Sequence, residues 1–351
     1  MKKIIVTGTL GQDGANMCEY LLKESDYKVY GMIRRSANPN FVNCKEFLKH
    51  ENFQLVYGDL TDETSLDKLV REIQPDYFIN FAANSFVGCS WDMPEQTFET
   101  NAVGVLKCLE AIKKFQPTCK FYSAGSSEEF GDVDYSPQDM KHPLKPRSPY
   151  GASKCSARHI VKVYRESYGM YAVHGILFNH EGTKRGEEFV TRKITKGVAR
   201  IWHALKNNQS FDPIELGNMY SKRDWSDSRD FVKGVWLMMN QKEPQDYLLA
   251  SGETHTIKEF LEKAFRAAGV SGSWTEADDD PRTLKFYNNS ERYENLVRVN
   301  EKFYRPAEVE LLLGDPSEAK EKLGWAPKIS FDKLVKTMVQ FDIKNCETKA
   351  Q

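Results

Sequence analysis

A tyrosine and a lysine four residues apart, Tyr150 and Lys154, stand in the segment Ser148-Pro149-Tyr150-Gly151-Ala152-Ser153-Lys154. Ser is a favoured helix N-cap and Pro suits the first helical position, so this segment opens a helix that runs to about Tyr168 and stops at Gly169. A spacing of four puts both side chains on one helix face. An ammonium beside a phenol favours the phenolate, which would make Tyr150 a base near neutral pH. Shortly before lies Ser123-Ala124-Gly125-Ser126-Ser127-Glu128-Glu129-Phe130-Gly131, at the end of an apolar run. The Ser126 hydroxyl can hold a substrate oxygen during hydride transfer. Ser126, Tyr150 and Lys154 alone would describe an alcohol-oxidising site. Glu128 adds a carboxylate, which such a site needs only if a carbon-bound proton also moves, and that points to dehydration. A loop carboxylate facing water is the plainer reading of Glu128 by itself.

Hydride chemistry needs a carrier, and Gly8-Thr9-Leu10-Gly11-Gln12-Asp13-Gly14 offers a seat for one. Glycines at this spacing, directly after a first strand, let the backbone turn tightly against a pyrophosphate at the next helix N-terminus. The second strand ends Gly31-Met32-Ile33-Arg34-Arg35-Ser36. An acidic residue there would bind the ribose 2′-hydroxyl of NAD, whereas Arg accommodates the 2′-phosphate of NADP, so Arg34 and Arg35 predict NADP. Gly58-Asp59-Leu60 follows the third strand, where Asp59 could accept from the adenine amino group. Ala82-Ala83-Asn84-Ser85 follows the fourth, and its small residues allow close approach of a cofactor.

The elements that must position these residues alternate. Strands are predicted over Lys3–Thr7, Lys28–Ile33, Phe53–Tyr57, Tyr77–Ala82 and Cys119–Ser123, with amphipathic helices such as Ser65–Ile73 and Phe98–Phe115 between them. Such alternation predicts an α/β fold, a Rossmann-type doubly wound parallel sheet, over residues 1–178. Residues 179–351 read as a smaller, interleaved substrate domain with some segments returning to the first. Helices are expected at Arg229–Asn240 and Thr256–Gly269; the stretch Ser271–Val297 is polar, and its acidic run Asp278-Asp279-Asp280 reads as solvated loop.

Lys plus Arg is 49 and Asp plus Glu is 50 in 351 residues, a balance that excludes nucleic-acid or membrane-surface binding by bulk charge. No apolar run approaches the roughly 18 residues of a membrane span, and the N-terminus lacks a signal-peptide apolar region. The seven cysteines (Cys18, Cys44, Cys89, Cys108, Cys119, Cys155, Cys346) show neither disulfide nor zinc spacing. A cytoplasmic, metal-free protein is expected.

Taken together, these residues resemble the extended short-chain dehydrogenase/reductase superfamily, and within it the GDP-mannose 4,6-dehydratase family, over most of the chain. The family-like stretches include Arg147-Ser148-Pro149-Tyr150, Gly175-Ile176-Leu177-Phe178-Asn179-His180-Glu181, Arg185-Gly186-Glu187, Phe189-Val190-Thr191-Arg192-Lys193, Arg223-Asp224-Trp225 and Arg305-Pro306-Ala307-Glu308, of which Phe178-Asn179-His180-Glu181 and Arg305-Pro306-Ala307-Glu308 are far more specific than glycine spacing. The resemblance implies that Tyr150 removes the C4 hydroxyl proton of GDP-mannose while hydride leaves C4. Lys154 would hold the ribose and tune Tyr150, and Glu128 would take the C5 proton as water leaves C6. It implies NADP contacts by His180 and Arg185 beside those of Gly8, Gly11, Gln12, Asp13, Gly14, Asp59, Leu60, Ala83 and Ser85. Substrate contacts fall to Ser85, Asn179, Lys193, Arg223, Arg305 and Glu308. A homo-oligomer, tetramer or dimer, is implied as well.

Several positions depart from the family pattern. Ser126 stands for Thr, Gly125 for Ser, Asn84 for Gln, Phe86 for His, Gln96 for Tyr, and Gly182-Thr183 for Ser-Pro. They bear on cofactor retention, product release and side activities. Two other activities therefore stay open: a dehydratase that also reduces its 4-keto product with NADPH to GDP-rhamnose, and a GDP-sugar epimerase, against which Glu128 argues.

Overall fold

Short apolar runs buried on both faces build the central sheet, as a parallel sheet covered by helices requires. In the computed structural model, which describes residues 1–24, 26–275, 281–289, 295–304 and 311–347, β1 (Lys3–Thr7), β2 (Lys28–Ile33) and β3 (Phe53–Tyr57) have the predicted bounds. β4 (Tyr77–Asn80) stops two residues early because the Ala82 N–H donates to the Thr7 hydroxyl and leaves the ladder. With β5 (Lys120–Ala124), β6 (Ala172–Leu177) and β11 (Tyr247–Leu249) they form a seven-stranded sheet in the order β11-β6-β5-β4-β1-β2-β3. Every pairing in it is parallel. Strand order reverses between β1 and β4, and a crevice opens at such a point beyond the strand ends.

Helices α1 (Gln12–Glu24), α7 (Ser228–Met239) and α9 (Ser317–Leu323) cover one face, where Met17, Leu21, Phe231, Val235, Met238 and Trp325 are buried. Helices α2 (Glu63–Ile73), α4 (Gly104–Phe115) and α5 (Pro149–Tyr168) cover the other with Leu66, Val70, Leu109, Ile112, Ala157 and Val161. Each such Val, Leu, Ile, Met or Phe side chain contributes about 1.5–3 kcal/mol by leaving water. The caps are written locally. Asp62 accepts from the Thr64 N–H at the start of α2, Ser148 from the Gly151 N–H at the start of α5, and Gly169 ends α5 at φ 67°. The helix expected over Phe98–Phe115 is interrupted. A short α3 (Pro94–Phe98) passes into a π-helical turn at Glu99–Val103 before α4. That turn carries Asn101, whose amide bonds both the Asn84 backbone and the Ser153 hydroxyl, linking the end of β4 to α5.

A separate core joins α6 (Val190–Lys206), α8 (Ile257–Ala267) and α10 (Phe331–Glu347) to a four-stranded sheet. Its order is β13 (Gly272–Trp274), β14 (Lys285–Asn288), β15 (Asn295–Val299), β8 (Ile214–Leu216). The polar stretch Ser271–Val297 thus contributes three strands, because Phe286, Leu296 and Val297 supply apolar side chains to this core. The run Asp278–Asp280 lies outside the described residues. Two small ladders tie the bodies together. One pairs β7 (Asn179–Glu181) with β10 (Trp225–Asp227), and the other sets β9 (Lys222–Arg223) between β12 (His255–Thr256) and β16 (Leu311–Leu312). The chain crosses repeatedly, since α7, β11 and α9 pack on the central sheet although they follow α6 in sequence.

Candidate active site

Beyond the carboxyl ends of the sheet strands lies a cleft of about 2740 Å³. Ordinary small-molecule pockets measure about 300–1,000 Å³, so this one has room for two nucleotide-sized ligands side by side. Gly8, Gly11, Gln12, Asp13 and Gly14 line one end, with Arg34, Asp59, Leu60, Ala83 and Ser85; Ser126, Glu128, Tyr150 and Lys154 line the middle. Asn179, His180, Arg185, Lys193 and Arg223 border it too. Arg35 is exposed and lies outside the lining, whereas Arg34 and Ser36 belong to it. Arg305 and Glu308 lie outside the described residues.

At the glycine turn the Gly8 φ of 68° requires glycine, and Gly14 packs against the Gly8 carbonyl so closely that no side chain fits. The α1 N-terminus therefore faces the cleft, and its first N–H groups lack intrahelical partners, as an anion site needs. Asp13 in that first turn would repel an anion, but His180 offsets it. The His180 Nε2 is 3.0 Å from the Asp13 carboxylate and its Nδ1 is 2.7 Å from the Phe178 carbonyl. Two acceptors demand two ring protons, so His180 is an imidazolium. Burial pushes its pKa down, yet the Asp13 charge and hydrogen bond outweigh this and leave it raised. Burial likewise pushes Asp13 up, and His180 outweighs it to leave the carboxyl below its usual range. Gln12 donates to the His180 carbonyl at 2.9 Å, while its own carbonyl oxygen is buried without a partner. That orphan acceptor, the open helix end and Arg34 beyond β2 fit a nicotinamide dinucleotide.

The four residues expected to do the chemistry sit at the starts of two helical segments. Ser126 caps the short turn Ser127–Glu129, which holds Glu128 half-buried at the cleft wall. Tyr150 and Lys154, in the first turns of α5, are 7% and 5% exposed. Burial pushes the Tyr150 phenol well above its usual value; a hydrogen bond with Ser126 opposes this, and the charges of Glu128 and Glu129 reinforce it. Burial draws Lys154 down to about 8, against the attraction of Glu129 and Asp13. The Lys154 ammonium donates to the Ala124 carbonyl at 2.7 Å and stands 5.8 Å from the Tyr150 ring centroid. The expectation that the ammonium draws the phenol down toward neutral is not borne out in the chain by itself: burial dominates at Tyr150, and the ammonium is engaged by the carbonyl at the end of β5.

At the far end, the Lys193 ammonium lies 3.4 Å from the Phe303 ring centroid. Glu215 accepts there from Arg298 at 2.8 Å and from Asn300 at 3.0 Å. Arg223 is nearly buried and donates to the Lys222 carbonyl, and Arg185 pairs with Glu181 at 3.0 Å with its guanidinium 3.5 Å from the Phe189 ring centroid. Sequence reasoning missed Phe303 and the Glu215 cluster. The pairing of β8 with β15 brings them together across more than eighty residues, and no local motif announces it.

A profile of the GDP-mannose 4,6 dehydratase family matches residues 5–338. A GDP-mannose 4,6 dehydratase of Drosophila melanogaster is 42% identical over 351 residues, covering 98% of this chain and 86% of that protein. Among solved structures, a dTDP-glucose 4,6-dehydratase of Bacillus anthracis in complex with NAD superposes with a TM-score of 0.79 at 21% identity, over 99% of this chain and 98% of that one. RMD from Pseudomonas aeruginosa, complexed with NADPH, gives a TM-score of 0.76 at 21% identity, over 98% of this chain and all of the other. At that identity the structural likenesses speak for the fold. The profile and the full-length relative decide the family: the chain belongs to the GDP-mannose 4,6-dehydratases.

Proposed function

We propose that this chain is a hydro-lyase that converts GDP-mannose and releases water, giving GDP-4-keto-6-deoxymannose, with a nicotinamide cofactor. The observation that carries this reading is that Glu128 opens onto the same cleft as Ser126, Tyr150 and Lys154. When bound, a nicotinamide ring supplies the acceptor and later the donor of one hydride, and in its oxidised form a positive charge. Burial holds the Tyr150 phenol protonated, and a cation bound beside it would favour loss of that proton to solvent, leaving a phenolate to accept the C4 hydroxyl proton. Ser126 holds the C4 oxygen. The C4 ketone acidifies the neighbouring C–H, and Glu128 removes the C5 proton and protonates the C6 hydroxyl as it leaves as water. C6 is then reduced as C5 takes back the proton that Tyr150 accepted from the C4 hydroxyl, so C4 is oxidised, C6 is reduced, both side chains return to their starting state and no net reductant is consumed. Lys154, as an ammonium, would hold the cofactor ribose.

The cofactor form we assign is NADP, because Arg34 and Ser36 line the cleft at the end of β2 and no carboxylate stands between them. The His180–Asp13 pair supports it by leaving the helix end neutral. Lys193, Arg223 and Asn179 serve the GDP-sugar on the other side, with the cations toward its diphosphate. A homo-oligomer belongs to the same reading, supported by family membership and by the exposed loop that carries Arg35, and light scattering measures it. The test of the reaction uses GDP-mannose deuterated at C4, the purified chain and a trace of NADP. Deuterium at C6 of a 4-keto-6-deoxy product is expected; unchanged substrate, or deuterium lost to solvent, sinks the reading.

A further inference from the structure

Arg185 reaches the cleft on a turn that is held from behind by two residues outside every expected contact. The Gly182 carbonyl accepts the Arg185 N–H at 3.1 Å, closing a β-turn with Thr183 in its second position. Arg192, in the first turn of α6, lies against it. Its Nη1 donates to the Thr183 carbonyl and, at 3.4 Å, to the Arg185 carbonyl. Its Nη2 stands 2.8 Å from one oxygen of Asp342 on α10, and the other Asp342 oxygen accepts from the Thr195 hydroxyl at 2.7 Å. Arg192 and Asp342 are both buried, and the Phe341 ring centroid lies 5.4 Å from the guanidinium. So enclosed, the planar fork of Arg192 has one orientation. The Arg185 side chain is held from the same helix. Glu181 Oε2 lies 3.0 Å from Arg185 Nε and accepts from the Thr191 hydroxyl at 2.6 Å. Helix α6 thus grips both the backbone and the side chain of the Arg185 turn, and α10 fixes the grip.

We propose that Arg192 and Asp342 are positioning residues for cofactor binding, pinning the 182–185 turn so that the Arg185 guanidinium faces the cleft. The pair matters in this chain because Thr183 stands where the family pattern has proline. Proline in the second position of a turn fixes φ by its ring, whereas threonine leaves that angle free, and Gly182 before it adds further freedom. The order that a proline would supply through the chain is supplied here by Arg192 through two carbonyls. Without Arg192 the turn would keep only its single backbone hydrogen bond. The ligand would then have to order Arg185 itself, at a cost in affinity. The inference rests on the reading that Arg185 touches NADP, and it holds whether or not the chain dehydrates GDP-mannose.

The test is NADPH binding to the full chain, read by cofactor fluorescence, with GDP binding measured alongside by calorimetry. Arg192→Lys keeps a cation but loses the fork that reaches two carbonyls and a carboxylate at once. It should weaken NADPH by about tenfold, the worth of one charge-assisted hydrogen bond, and leave GDP within about twofold. Lys193 is the next residue and serves the GDP-sugar, so a general disturbance of α6 would lower GDP affinity as well. Adding Thr183→Pro should bring NADPH affinity back to within about twofold of the unaltered chain, because the ring then holds the turn. Unmoved NADPH affinity in Arg192→Lys, an equal loss of both ligands, or no recovery with Thr183→Pro overturns the proposal and leaves the pair a packing element. Should Arg192→Lys fail to fold, Asp342→Asn keeps the shape and weakens the hold on Arg192. NADPH affinity that falls in it and recovers with Thr183→Pro supports the proposal, and unmoved affinity overturns it. Arg185→Ala checks the reading beneath. Loss of NADPH affinity there with none in Arg192→Lys overturns the positioning role alone, whereas no loss in Arg185→Ala removes Arg185 from the cofactor and the proposal with it.

Discussion

Gly14→Ala tests the geometry on which the whole cofactor end depends. An added Cβ would lie 2.3 Å from the Gly8 carbonyl oxygen, 2.5 Å from its carbon and 2.8 Å from the Thr9 nitrogen. All three are backbone atoms, so no rotamer change relieves the clash. Since nonbonded heavy atoms rest at about 3.5 Å, the gap must widen by about 1 Å. The turn cannot retreat, because Gly8 itself packs against the backbone of Phe81 and Ala82. Helix α1 must lift instead, pulling buried Met17, Cys18 and Leu21 from the sheet. Overpacking of this kind costs about 3 kcal/mol at its upper end. The gain in helix propensity returns about 1 kcal/mol, for a net loss of about 2 kcal/mol. With an unfolding entropy of about 2.1 cal/mol/K per residue over the 351 residues, the Tm should fall by about 3 °C. Gly11→Ala is the control in the same turn, since its Cβ meets only the Gly8 oxygen, at 3.2 Å. It should melt close to the unaltered chain. Calorimetry of cofactor-free protein reads the first effect, and titration with NADP should show weaker binding in Gly14→Ala. A Gly14→Ala protein that melts no lower than Gly11→Ala would refute the reasoning.

Three further outcomes are expected. The Asp13–His180 pair contributes stability below the ordinary His pKa of about 6.5, lost as pH rises through the raised folded value, and above the ordinary Asp value of about 3.9, lost as pH falls through the depressed one. The Tm deficit of Asp13→Asn should therefore be largest between those two values and shrink by pH 9; a deficit independent of pH would contradict this. Arg34→Ala should weaken NADP by about 10- to 100-fold, the worth of charge-assisted hydrogen bonds, and leave NAD affinity nearly unchanged; equal losses for both nucleotides would remove Arg34 from the phosphate. Glu128→Gln should lose dehydration by about 100-fold or more yet still reduce the cofactor in a single turnover, whereas Tyr150→Phe should lose both. Proton exchange at C5 at the normal rate in Glu128→Gln would exclude its role as the C5 base.

What the residues determine by themselves is whatever depends on near neighbours. Three strands have the predicted bounds because parallel strands buried on both faces are unbroken apolar runs, and α5 begins and ends where Ser148, Pro149 and Gly169 dictate. The glycine turn and the cluster Ser126, Glu128, Tyr150 and Lys154 were legible for the same reason, since each lies where a strand ends or a helix begins. Tertiary structure decided the rest. Which of two adjacent glutamates faces the cleft is not written in the pair Glu128-Glu129; it follows from a short helical turn that buries Glu129 against His174, forty-five residues away. The Lys154 ammonium bonds to Ala124 and not to Tyr150 because β5 brings a carbonyl within reach. Lys193 meets Phe303, and Glu215 meets Arg298, only because β8 pairs with β15. Local periodicity carries the energetics of single elements, whereas side chains far apart in sequence meet only once long-range burial has paired those elements.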